Sequence, residues 1–455
     1  MSEAFIVDAV RVAGGRRKGR LANLHAVDLG ALSLNALVER TDFDPAAIED
    51  VIFGCVTQAG EQSQHVGRNC VLASKLPQHV PAVTIDRQCG SSQQALHFAA
   101  QAVIAGVQDL VIAGGVESMT RVPMNSAVIG AQNIPQSVQS RFGVTAFSQF
   151  VGAEMIAKKN GFDRERLDRF ALESHRRAAA AIEANAFSKE IVPVRVTLAD
   201  GSQITHDKDE GVRLDTSMAA LGKLEPISPG GVVTAGNASQ ICDGSSAVLI
   251  ASERAVKLHG FKPLARVVNM TVTAGDPVIM LEEPLYATTK ALDRAGLKLA
   301  DIDLFEVNEA FAPIPLAWLE HLGADPGKLN VNGGAIALGH PLGASGTKLM
   351  ATLVHALRAR GKRYGMSPNY IATLFPEGYA SPGAGRLAPW TLADFSASYR
   401  PIPGLEVTLA LNNAFNRMPP TDSSVYGNQN LPYNEFNYNV YGRQYYLTAT
   451  YKMGK

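Results

Sequence analysis

Twice in this chain a strand ends in a glycine or polar elbow, a long helix opens there, and a glycine closes it: over Cys89 to Gly106, and over Gly339 to Gly361. A repeat of this kind implies a duplicated α/β unit with buried sheets. Short β-branched runs around the first copy ("AFIVDAV", "DVIFGCV", "PAVTIDRQ", "DLVIAGG") read as strands. The Ala-rich segments "AVDLGALSLNALVER" and "SSQQALHFAAQAVIAG" read as helices. Residues 120 to 240 interrupt this rhythm with polar, irregular sequence and one predicted helix, "RERLDRFALESHRRAAAAIEANA". They are expected to form an excursion from the core, and the rhythm resumes at "KPLARVVNMTVTA".

Duplication makes a demand on the C-terminal half. The first long helix leads directly into "DLVIAGG", whereas the second leads into "RGKRYGMSPN", with Pro368 where a buried strand should begin. The last strands of the second half are therefore expected to be missing or replaced from about residue 366. Composition changes at the same point: ten of the 12 tyrosines lie beyond it. There "ADFSASY", "LEVTLALNN" and "YYLTATYK" alternate with a two-residue period. This places Leu405, Val407, Leu409 and Leu411 on one strand face, and Tyr445, Leu447, Ala449 and Tyr451 on another. Such segments suit either a sheet with one wet face or the wall of a membrane barrel.

Lys plus Arg and Asp plus Glu both total 42, so no global charge favours nucleic acid or an acidic membrane surface. The local basic run Arg16, Arg17, Lys18 and Arg20 reads as a solvated loop or as a contact for an anionic cofactor. The four cysteines form no CxxC pair, and "MSEAFIVDAVRV" has no signal-peptide character. Reduced thiols and a cytoplasmic location are expected.

Two residues stand out chemically. Cys89 lies between a strand and a helix N-terminus, where unpaired N–H groups favour a thiolate, although free cysteines are often inert and buried. His340 lies in the Gly-dense loop "NGGAIALGHPLGASG", a candidate base or simply a loop-capping residue. The order Gly346, Thr347, Lys348 excludes a Walker A phosphate loop. Asn308, in "NEAFA", offers an amide that could hold a water.

Together "DRQCGSSQQAL", "AGGVESMTRVPM", "TAGNASQICDGSSAV", "VNEAFAP" and "NGGAIALGHPLGASGTK" resemble, in order and spacing, the thiolases, the family of acetyl-CoA acetyltransferase and 3-ketoacyl-CoA thiolase. The resemblance covers residues 3 to 365. It implies a duplicated fold of αβαβα layers: an N-terminal half over 1–119 completed by about 240–255, a loop domain over 120–239, and a truncated C-terminal half over 256–365. It further implies a homodimer or homotetramer, coenzyme A thioesters as substrates, and no metal or tightly bound cofactor. Cys89 would be the acylated nucleophile, His340 the base that activates it, and Asn308 the holder of an oxyanion-hole water. Ser239, Ala235 and Gly236 would contact the pantetheine of coenzyme A, with Ala310 and Phe311 beside the acyl chain.

Thiolases also carry a second catalytic cysteine in a Cys-x-Gly motif after the last long helix, and no cysteine follows Cys242 here. Impaired Claisen chemistry is the resulting expectation; a scaffold that binds or accepts acyl groups is the alternative. Residues 366–455, with "ASYRPIPGLEVTLALNNAFNRMPP" and "GRQYYLTATYKMGK", resemble the C-terminal strands of TonB-dependent outer-membrane receptors, so a receptor fragment is a remote third reading.

Overall fold

The computed structural model describes residues 3–198, 200–368, 370–374, 395–402, 405–413 and 444–451. These fall into two units, Met1–Phe375 and Pro376–Lys455.

The first unit is built on β1 (Ala4–Val12), β2 (Asp50–Gly54), β3 (Ala82–Ile85), β4 (Leu110–Ser118), β5 (Cys242–Ser252), β6 (Ala265–Met270), β7 (Leu304–Phe305), β8 (Tyr364–Ser367) and β9 (Tyr370–Leu374). They pair in the order β7-β8-β9-β6-β1-β5-β4-β2-β3. The duplication is explicit in this order. From β1 outward the neighbours are β5, antiparallel, then β4, antiparallel, then β2, parallel. From β6 outward they are β9, antiparallel, then β8, antiparallel, then β7, parallel.

The expectation that the last strands are missing is thereby corrected. β8 and β9 fill the places that β4 and β5 hold in the first half. Pro368 lies in the turn between them, where the absent N–H breaks no ladder bond, so it marks the end of one strand and not the start of another.

Seven helices matter for the site: α1 (Ala26–Thr41), α2 (Ser91–Ile104), α3 (Gln149–Lys159), α4 (Arg164–Glu183), α5 (Glu283–Ala295), α6 (Pro313–Leu322) and α7 (Ser345–Ala359). α2 and α7, the helices of the two repeated elbows, pack on each other and on strands of both halves, sharing one apolar cluster with Ile6, Val248, Val267 and Leu304. α7 is buried on almost every side from Ser345 to Leu357, as a central layer requires. α1 covers an outer face through Leu29, Leu34 and Leu37. α5 and α6 cover the other through Leu285 and Trp318.

Between β4 and β5 the chain carries α3, α4 and a ladder of Val194–Thr197 with Gln203–His206. A buried ionic cluster ties this segment to the core. Arg11 of β1 is fully buried and donates from Nε to Glu190 at 2.6 Å and from Nη1 and Nη2 to Asp209 at 2.8 and 3.0 Å. Thr352 of α7 also donates to Glu190, at 3.0 Å.

The basic run near the N-terminus wraps an internal anion. Glu210 accepts from the backbone N–H groups of Arg16 and Arg20, at 3.2 and 2.9 Å, and lies within ion-pair range of both side chains. Part of the run's charge is thus answered from within the chain.

In the second unit, β10 (Phe395–Ile402), β11 (Leu405–Asn412) and β12 (Gln444–Tyr451) form an antiparallel sheet in the order β10-β11-β12. The register places Tyr399, Val407 and Ala449 side by side, and Ala397, Leu409 and Leu447 likewise. This is the facing that the two-residue period implied. Tyr399 and Leu447 are 71% and 74% exposed on that face. No helix among the described residues is long and apolar enough to cross a membrane.

Candidate active site

Cys89 ends the elbow after β3 and precedes α2. The turn is tight: Gln88 takes φ 49°, a left-handed conformation uncommon for a side-chain-bearing residue. Ser91 locks it, accepting from the Arg87 N–H at 2.9 Å and donating to the Gln88 carbonyl at 2.6 Å. The helix N-terminus was expected to favour a thiolate. Burial outweighs it and pushes the thiol up to about 11, even though the Cys89 backbone N–H and the Gln149 amide both hydrogen-bond the sulfur.

His340 lies in the second elbow, just before α7, and is 3% exposed. Its tautomer follows from its neighbours. Ser345 Oγ donates to the Pro341 carbonyl at 2.8 Å, so it can only accept from the imidazole, whose Nδ1 lies 2.5 Å away. The proton therefore sits on Nδ1, and Nε2 keeps its lone pair. Asn308 Nδ2 approaches that nitrogen at 3.4 Å. Burial, and then the charge of Lys348, hold the imidazole down at about 3. Cys89 and His340 thus rest as neutral thiol and neutral imidazole. The Asn308 Oδ1 is buried with no hydrogen-bond partner, an orphan acceptor suited to a water.

The two elbows meet because α2 and α7 abut at their N-termini. Thr347 N–H donates to Ser92 Oγ at 3.1 Å. Gly346 has no space for a side chain, since a Cβ there would lie 2.1 Å from the Gln93 nitrogen. Gly346→Ala should force the helices apart and cost about 1–3 kcal/mol, seen as a lower urea midpoint with an unchanged slope. Glu117, at the end of β4, clasps both sides. Its Oε2 accepts from the N–H of Val56 and of Gly343, at 2.9 and 2.8 Å, and its Oε1 from Thr57 at 3.0 Å.

The remaining candidates form a second group. Ser239 N–H donates to the Ala310 carbonyl at 2.9 Å, and Ala238 bridges Phe311. Ala235 and Gly236 occupy the turn closed by Asn237 N–H on the Thr234 carbonyl. Phe311 meets Phe150 of the inserted segment edge-on, with centroids 5.3 Å apart. Asn308, which approaches the imidazole, lies on the same loop as Ala310 and Phe311.

Three contributors escaped the sequence reading. Ser345 and Glu117 lie inside motifs quoted above, but their roles depend on partners in other segments. Gln149 carries no local signal; only the folded inserted segment brings it to Cys89.

The thiolase N-terminal domain matches residues 4–254, and the thiolase C-terminal domain matches residues 261–374. A steroid 3-ketoacyl-CoA thiolase of Mycobacterium tuberculosis is 50% identical over 374 residues, spanning 80% of this chain and 90% of that protein. A beta-ketoadipyl-CoA thiolase of Acinetobacter baylyi is 43% identical over 385 residues, spanning 80% of this chain and 96% of that protein. The crystal structure of human mitochondrial 3-ketoacyl-CoA thiolase superimposes with a TM-score of 0.74 at 38% identity, covering 82% of this chain and 99% of that one. Two matched domains over most of the length, with a relative at half identity, establish that the chain belongs to the thiolase family.

Proposed function

We propose that this chain is an acyltransferase that works on coenzyme A thioesters through an acyl-Cys89 intermediate. The observation that carries this reading is the hydrogen bonding of His340, whose Nδ1 meets Ser345 Oγ and whose Nε2 lies beside the Asn308 amide where the two elbows meet, an arrangement that suits Nε2 as a base. The Cys89 sulfur attacks the thioester carbonyl as its proton passes to His340 Nε2. The tetrahedral oxygen takes hydrogen bonds from a water held by Asn308, and collapse expels coenzyme A, which recovers the proton from His340. Because both groups rest neutral, proton transfer accompanies attack and does not precede it. Ser239, Ala235 and Gly236 would hold the pantetheine, and Ala310 and Phe311 would lie along the acyl chain. A homodimer or homotetramer in the cytoplasm, with no metal or tightly bound cofactor, belongs to the same reading.

The second half of thiolase chemistry forms or cleaves the bond between Cα and Cβ of a 3-ketoacyl-CoA. It needs a group that moves the Cα proton, the role of the second cysteine in thiolases. No cysteine follows Cys242. Cleavage of a 3-ketoacyl-CoA by coenzyme A should accordingly run roughly 100-fold to 10,000-fold below an intact thiolase, the usual worth of a positioned acid or base. Fitting a thiolase-type Cys-x-Gly ending in place of residues 366–455 should restore it. Full cleavage by the chain as it stands would show that another group moves the proton. The alternative reading, an acyl-accepting scaffold without Claisen activity, is favoured by the same missing cysteine and predicts no cleavage at all.

A further inference from the structure

Lys348 stands in the first turn of α7, where a cation opposes the helix dipole, and is only 6% exposed. The helix dipole does not account for an ammonium placed there. Its Nζ turns back to donate to the Leu338 carbonyl at 2.6 Å and the Gly339 carbonyl at 2.9 Å, the last two residues before His340. Asp209, Cys242, Arg11 and Glu190 act on it electrostatically, and Glu306, Asn308, Ser345 and Thr352 line the same small internal cavity. With Arg11, Asp209 and Glu190 it completes a buried set of two cations and two anions.

We propose that Lys348 is a positioning residue for His340, gripping the two carbonyls that lead into the imidazole and setting a fixed positive charge behind it. The imidazole would be faced on its other sides by neutral groups, Asn308 and Ser345, so beyond burial itself Lys348 is the charge that lowers the ring's readiness to accept a proton. Burial lowers the proton affinity of Lys348 itself, and the Asp209 and Glu190 carboxylates oppose that loss. The benefit is a base that takes the thiol proton only transiently and returns it to the leaving coenzyme A.

Nitrogen NMR of His340 reads the imidazole without any acyl-CoA. In Lys348→Met the imidazole should regain basicity, so its protonation midpoint should rise by about one pH unit or more, while acetyl transfer falls. Lys348→Arg keeps the charge and the paired donors and should track the parent in both. A folded Lys348→Met with an unchanged midpoint would overturn the proposal. Should that variant not fold, nitrogen NMR of the parent chain decides, with His340→Asn identifying the signal. The ring should stay neutral with its proton on Nδ1 down to about pH 5, and a midpoint above about pH 6 would refute the role. The inference rests on His340 being the base of the acyltransferase. A parent chain that meets the NMR expectation but is never acetylated would refute that function while leaving the Lys348 geometry standing.

Discussion

His340→Ala should slow acetylation of Cys89 by acetyl-CoA roughly 100-fold to 10,000-fold, measured as a single turnover at saturating thioester. The reason is the neutral resting pair. With the thiol pushed up to about 11, only on the order of one chain in 10,000 carries a free thiolate near pH 7, so attack depends on a base at Nε2. Two features of the variant follow. Its residual rate should climb about tenfold per pH unit up to about pH 9, as direct ionisation replaces the lost base, whereas the parent should vary far less. Thioester binding should stay within a few-fold, because the proposed pantetheine contacts lie on the Ser239 turn and not on the imidazole. A rate unchanged by the substitution would place the base elsewhere.

Arg11→Met should cost about 3–5 kcal/mol of folding stability, the usual penalty for removing one partner of a buried ion cluster. Glu190 and Asp209 would be left inside the protein with Lys348 as their remaining cation. Since these two carboxylates belong to the inserted segment and Thr352 to α7, the loss should also free that segment from the core. Urea unfolding monitored by circular dichroism checks the magnitude. Limited proteolysis should show cleavage within residues 120–240 before cleavage elsewhere. A change below about 1 kcal/mol would mean that the cluster is dispensable for folding.

Much of the fold was legible because the chain states it twice. The order β1-β5-β4-β2 returns as β6-β9-β8-β7, and the elbows that carry Cys89 and His340 are the repeated elements themselves. Where the reading failed, a local rule met a competing local rule. Pro368 was taken as a barrier to a strand, yet a proline between two short strands is equally a turn residue, and one sequence does not rank the two. The Cys89 thiolate was inferred from the helix N-terminus, but the opposing effect, burial, is set by the assembled fold and not by the residues beside it in sequence. The same dependence hid Gln149. The Arg16 to Arg20 run left two readings open because Glu210, the anion that Arg16 and Arg20 meet, is remote in sequence.

The most direct test of the central claim is peptide mass spectrometry of the full chain after brief incubation with acetyl-CoA and acid quenching. The account predicts one acetyl group per chain, located on Cys89, absent from Cys89→Ser and reduced in His340→Ala. Cys55, Cys70 and Cys242, all buried, should remain unmodified. Acetylation spread over several cysteines, or none at Cys89 in a folded chain, would contradict it.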